Sequence, residues 1–142
     1  MNEYMQLVAV RPIVKRTTSE RQEFIRLIVD TFLTRPARRG GLESVEVSGL
    51  VTPLKGSSAS ERYHASFSFV ESLIGTQPYV HRWEYNFDHE RGREHFDSNE
   101  YIHSQLDELG EKVCCFASTF SYELRPSHSG LLLVVHRRPI MH

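Results

Sequence analysis

The stretch RYHASFSFV at residues 62–70 alternates strictly between two kinds of side chain. One side carries the apolar or aromatic residues Tyr63, Ala65, Phe67 and Phe69, and the other carries His64, Ser66 and Ser68. This period of two is typical of a strand that is buried on one face only. The next stretch, YVHRWEYNFD at residues 79–88, repeats the pattern with Trp83, Tyr85 and Phe87 opposing Arg82, Glu84, Asn86 and Asp88. Together they predict two strands, each with an apolar and a polar face.

Three elements are predicted before this pair. Residues 5–14 indicate a first strand, in which Pro12 marks a sheet edge or ends regular pairing. Residues 17–36 predict a helix, because Thr17 and Glu20 have capping-box spacing, apolar residues recur at helical spacing from Phe24, and Pro36 ends the pattern. Residues 42–54 alternate again and predict a half-buried strand with Gly49 as a bulge or a point of close contact.

Three further elements follow the pair. A second helix is predicted from Asp97, which has capping-box spacing to Glu100, as far as Gly110, a residue type that commonly follows a helix end. Residues 112–124 and 129–139 predict two strands, with Cys114 and Cys115 on opposite faces of the first. The run LLLVV at 131–135 is apolar on both faces, which predicts a strand in the middle of the sheet.

The predicted order is β-α-β-β-β-α-β-β, which indicates a single α+β domain spanning residues 1–142. Short connections favour a mostly antiparallel sheet of five or six strands, with both helices packed on one face. Large aromatic residues are expected to dominate the core: Phe24, Phe32, Phe67, Phe69, Trp83, Tyr85, Phe116 and Phe120. The other face is expected to carry polar residues: His64, Ser66, Ser68, Glu84, Asn86 and Thr119.

Composition excludes several classes of protein. The chain has 142 residues and a net charge of −1, so it lacks the basic excess typical of polyanion binders. No apolar run approaches the ~20 residues that cross a bilayer, and no signal-peptide pattern is recognised at the start. We therefore expect a cytoplasmic protein with reduced thiols, no membrane association and no cofactor. Its eight histidines are a rich count and suggest pH-sensitive surfaces.

His64 and Glu84 form the first candidate site, because both lie on the predicted polar face of neighbouring strands. A histidine beside a carboxylate can move protons near neutral pH, so the pair could be catalytic. A wider set that adds His81, Asp88, His89 and His95 could in principle bind a metal. Its spacing matches none of the HExxH, CxxC or HxH patterns, so no metal site is predicted.

Arg35, Arg38 and Arg39 form the second candidate site, in a loop that also contains two glycines. Arginine forks and freed backbone amides can bind phosphate, and Arg82 is a further candidate anion binder. Residues 19–110 have the element order of double-stranded-RNA-binding domains. However, the second helix begins with Asp97 and Glu100, which would repel phosphate, so membership of that family is not predicted.

Three hypotheses for function follow. The first is a non-enzymatic binding or accessory module that uses the polar sheet face or a sheet edge for a protein partner or for self-association as a homodimer. The second is a metal-independent phosphodiester hydrolase, resembling a ribonuclease in its chemistry, that uses His64 and Glu84. The third is nucleic-acid binding through the arginine-rich loop at residues 35–39.

Overall fold

A computed structural model describes residues 9–10, 18–34, 44–71, 79–92, 95–128 and 130–137. Within these ranges the elements are β1 (Ala9–Val10), α1 (Thr18–Thr34), β2 (Ser44–Leu54), β3 (Ser60–Glu71), β4 (Tyr79–Glu90), α2 (Ser98–Cys114), β5 (Phe120–Ser127) and β6 (Gly130–Arg137). The predicted α+β class with an antiparallel sheet is confirmed. Neither described helix is long and apolar enough to span a membrane.

The six strands form one sheet in the order β1-β4-β3-β2-β6-β5. All pairings are antiparallel except that of the short β1, which runs parallel to β4 at Tyr79 and Val80. The doubly apolar strand β6 lies between β2 and β5, next to the edge strand and not in the middle of the sheet as predicted. Leu133, Val134 and Val135 are all buried there, although their side chains alternate between the two faces.

Residues of both helices contact the same face of the sheet. Phe24 of α1 packs on Trp83 and Phe69, with ring centroids 6.1 and 5.5 Å away. From α2, Tyr101 packs on Phe87 at 4.5 Å, and its hydroxyl is hydrogen-bonded to that of Tyr85. This face therefore holds the core, which also contains Val45, Val47, Ala65, Phe67, Phe120, Leu133 and Val135.

The second helix begins as predicted but ends later. The Asp97 carboxylate accepts hydrogen bonds from the backbone amides of Asn99 and Glu100, as a helix cap does. The helix then continues past Gly110 to Cys114. Gly110 is buried inside it, and a Cβ there would lie only 2.4 Å from Cδ2 of Tyr122. The glycine permits close packing of helix on sheet, so the predicted helix end at Gly110 is wrong.

Because the helix is longer than predicted, three further predictions are wrong. Cys114 and Cys115 lie at the end of α2 rather than on opposite faces of a strand, and no disulfide bond joins them. Phe116 is 53% exposed in the connection that follows, so it is not a core residue. Thr119 lies in the turn before β5 and is not part of a sheet face.

Trp83 and Phe116 provide a matched test of this core. We expect Trp83→Ala to lower the free energy of unfolding by ~3–5 kcal/mol, because Trp83 is 5% exposed and contacts several rings. Phe116→Ala should change it by less than ~0.5 kcal/mol, as is usual for a surface position. Urea unfolding followed by circular dichroism measures both. Equal losses would contradict the assignment of Phe116 to the surface.

Gly110→Ala tests the close approach of α2 to β5. Alanine favours an isolated helix over glycine by ~1 kcal/mol. We nevertheless expect a loss of ~1–3 kcal/mol, because the new methyl group overlaps the Tyr122 ring. In a Tyr122→Ala background the same substitution should be neutral or stabilising. A more stable Gly110→Ala protein in the presence of Tyr122 would show that the ring is not where the structure places it.

Candidate functional site

We call the face opposite the helices the outer face; it consists of the even-numbered positions of β2, β3, β4 and β6 and the odd-numbered positions of β5. The strand register determines which residues of the outer face lie opposite each other. Across β3 and β4, His64 faces Asn86, Ser66 faces Glu84 and Ser68 faces Arg82. Across β2 and β3, Ser48 faces Ser68 and Leu50 faces Ser66. The predicted pair His64 and Glu84 therefore lies on adjacent strands. Glu84 is two residues along β4 from Asn86, the residue directly opposite His64, so the pair is a diagonal one.

Both ring nitrogens of His64 face acceptors within the protein. Nδ1 donates a hydrogen bond to Oδ1 of Asn86 at 2.8 Å. Nε2 lies 3.6 Å from Oε1 of Glu84, beyond hydrogen-bond distance but within the range of an ion pair when the ring is protonated. A general base needs a ring nitrogen directed at the substrate. In this arrangement neither nitrogen is directed away from the protein.

Glu84 is the most deeply buried acid of the outer face, with 8% of its surface exposed. Its Oε1 lies 4.0 Å from Nη1 of Arg82 as well as near His64. Its Oε2 is buried and has no hydrogen-bond partner among the described residues. A buried carboxylate oxygen without a donor is costly, and the Arg82 guanidinium near Oε1 partly offsets that cost.

Three serines and one leucine occupy the middle of the outer face. Ser48, Ser66 and Ser68 are half-buried, and the hydroxyls of Ser48 and Ser68 lie 3.4 Å apart at hydrogen-bond distance. Leu50, next to them on β2, is 62% exposed. Because serine side chains are shorter than that of leucine, the surface above Ser48, Ser66 and Ser68 should lie lower than the exposed Leu50 side chain; we call this low surface the serine depression. Leu54 and Val70, 42% and 45% exposed, add further apolar surface on the same face.

A second charged cluster lies toward the β5 edge of the outer face. The Glu123 carboxylate accepts hydrogen bonds from Nε2 of His136, at 3.0 Å, and from Arg125. These two donors lower the pKa of Glu123, the His136 bond being the larger cause. This cluster was not predicted, because no local sequence pattern gives the pairing of β5 with β6. The alternation of Glu123 and Arg125 along one strand was the available signal.

The remaining predicted site residues do not join these groups. His81 is buried on the helix side, stacked on Phe69 at 4.7 Å, so it does not share a face with Glu84. His89 lies on the helix side near the ring of Phe96, at 5.3 Å, and His95 is exposed beyond the strand. Among the described residues, no group of three or more potential ligands could hold a metal ion.

Of the predicted anion binders, the structure describes only Arg82. Arg82 lies beside Glu84, and its side chain is 30% exposed. Arg35, Arg38 and Arg39 lie outside the described residues. The arginine-rich loop therefore stays a prediction from the sequence.

Comparisons with protein-family models, curated proteins and solved structures found no match. The site must therefore be interpreted from its own geometry.

The contacts of Glu123 lead to a prediction about its pKa and about the pH dependence of stability. The pKa of Glu123 lies below its ordinary value of 4.5. We expect His136→Gln to raise it toward that value, as measured by NMR titration of the side-chain carboxyl carbon. Because the pKa is lowered on folding, the Glu123 contribution to stability is present above pH 4.5 and is lost as the pH falls through the lowered pKa.

Arg125→Gln is the comparison variant for this titration, and it should raise the Glu123 pKa by less than His136→Gln does. An unchanged pKa in the His136→Gln protein would mean that the histidine does not bind the carboxylate in solution.

Proposed function

We propose that this chain is a non-enzymatic binding module that engages a protein partner through its outer face. The observation that supports this best is Leu50, a large apolar side chain 62% exposed on β2, which has paired strands on both sides in the sheet. Val45 and Val47, on the opposite face of the same strand, are buried. Exposed apolar groups within a polar surround are typical of interaction surfaces.

The polar groups around Leu50 fit the same proposal. Interfaces combine an apolar centre with a polar rim whose groups fix the orientation of the partner. Here the rim contains His64, Arg82 and Glu84.

The hydrolase hypothesis is the alternative, and one observation favours it: His64 and Glu84 are brought to within 3.6 Å. The orientation of His64 argues against it, since Nδ1 is engaged by Asn86 and Nε2 faces Glu84. Cleavage of a fluorescent RNA by the wild type, lost in a folded His64→Ala, Glu84→Ala double variant, would support the hydrolase instead.

Photocrosslinking at two exposed positions tests the binding proposal. A benzophenone amino acid replaces Leu50 on the outer face or, as a control, Phe116 at the end of α2; both are exposed apolar residues. We expect crosslinks to a defined partner from position 50 and not from position 116. Products are identified by mass spectrometry, and that partner is then purified.

Affinity measurements on the purified partner complete the test. Leu50→Asp should weaken binding by about tenfold or more in isothermal titration calorimetry, as loss of a central interface residue does. Phe116→Asp should leave the affinity unchanged. Equal affinities of the two variants would remove the outer face as the binding surface.

A further inference from the structure

Two neighbouring rows of side chains on the outer face differ in a complementary way. The first row, across β2, β3 and β4, contains Ser48, Ser68 and Arg82, and the second contains Leu50, Ser66 and Glu84. On β2 the rows place a small residue beside a large one. On β4 they place a cation beside an anion. The two rows are therefore complementary: the large Leu50 of one corresponds to the small Ser48 of the other, and the negative Glu84 corresponds to the positive Arg82.

We infer that the partner of the outer face is a second copy of this chain, packed face to face about a two-fold axis that crosses the strands between these two rows. This inference rests on the proposed binding function. A two-fold axis in that position places each row over the other row of the partner. Leu50 of one copy then enters the depression above Ser48 of the other, and Arg82 faces Glu84.

The same axis accounts for a second exposed apolar residue. Val70 lies two positions beyond Ser68 on β3, and His64 lies two positions before Ser66 on the same strand. Exchange of the rows places Val70 of one copy over His64 of the other. The 45% of Val70 that is exposed in the single chain would thereby be covered by an imidazole ring.

The β5 edge of the sheet is less suited to self-association than the outer face. β5 is an outermost strand, and it carries Glu123, Arg125 and Pro126. Proline lacks the N–H needed for a further strand, and charged side chains on an edge discourage pairing with another chain. Packing of two sheets at about 10 Å separation requires no free backbone groups.

Sedimentation velocity of the purified chain tests the inference. We expect a concentration-dependent species of twice the 16.5 kDa chain mass. Leu50→Asp should weaken the dimer by about tenfold or more, because it places a charge at the centre of the interface. Phe116→Asp, a change of equal chemistry outside the outer face, should not affect it.

A swap of two residues tests the row exchange itself. Ser48→Leu enlarges the apolar surface but fills the depression, so it should weaken the dimer by about tenfold or more through a collision of leucines. The double variant Ser48→Leu, Leu50→Ser restores one small and one large residue facing each other, and its dimer should regain most of the wild-type affinity. A general apolar patch would instead dimerise more tightly with Ser48→Leu.

The results of these experiments distinguish failure of the proposed dimer from failure of the proposed binding function. A wild-type chain that stays at 16.5 kDa at every concentration would overturn the dimer, as would tighter association of Ser48→Leu. Crosslinks from position 50 to a different protein would still support a binding module. Absence of any crosslink from position 50, in a chain that is also monomeric, would contradict both the dimer and the proposed binding function.

Discussion

The packing of Trp83 is the interaction on which the arrangement of the chain depends. Its ring lies 6.1 Å from that of Phe24 in α1 and 5.5 Å from that of Phe67 in β3. Arg21 of α1 lies over the ring at 5.7 Å and forms an ion pair with Glu108 of α2 at 2.7 Å. Trp83 thus connects β4 with β3 and α1, and Arg21 links this contact to α2. Because side chains alternate along β4, burial of Trp83 also directs Arg82 and Glu84 to the outer face.

Much of the fold could be predicted because alternation in β3 and β4 and the helical spacing from Phe24 are local signals. The prediction failed where a tertiary contact overrides a local preference. Gly110 commonly marks a helix end, yet here it is the point at which α2 meets Tyr122. The contact lets the helix run through Cys114, and Phe116 is consequently displaced from the strand that the sequence suggested.

The candidate site was predictable in part for the same reason. Alternation alone placed His64 and Glu84 on one face, but the distance between them depends on strand register, which no local pattern gives. His81 could have been excluded, since it shares the parity of Trp83 and must point to the core. The Glu123 and His136 cluster required the pairing of β5 with β6, which places residues thirteen positions apart in contact.

The strength of a face-to-face dimer depends on the serine depression more than on the leucine. Because only 62% of Leu50 is exposed in the single chain, its burial contributes ~1–2 kcal/mol per copy, so the two copies together supply ~2–4 kcal/mol. Association of two proteins costs ~4–15 kcal/mol in lost translational and rotational freedom. Leucine insertion alone therefore does not offset this cost. In the proposed dimer, Ser48, Ser66 and Ser68 would let the leucine enter deeply, so that the sheets would approach and the surrounding residues, including Val70 and Leu132, would also be buried. Larger residues at the serine positions would hold the sheets apart and leave only the leucine contact.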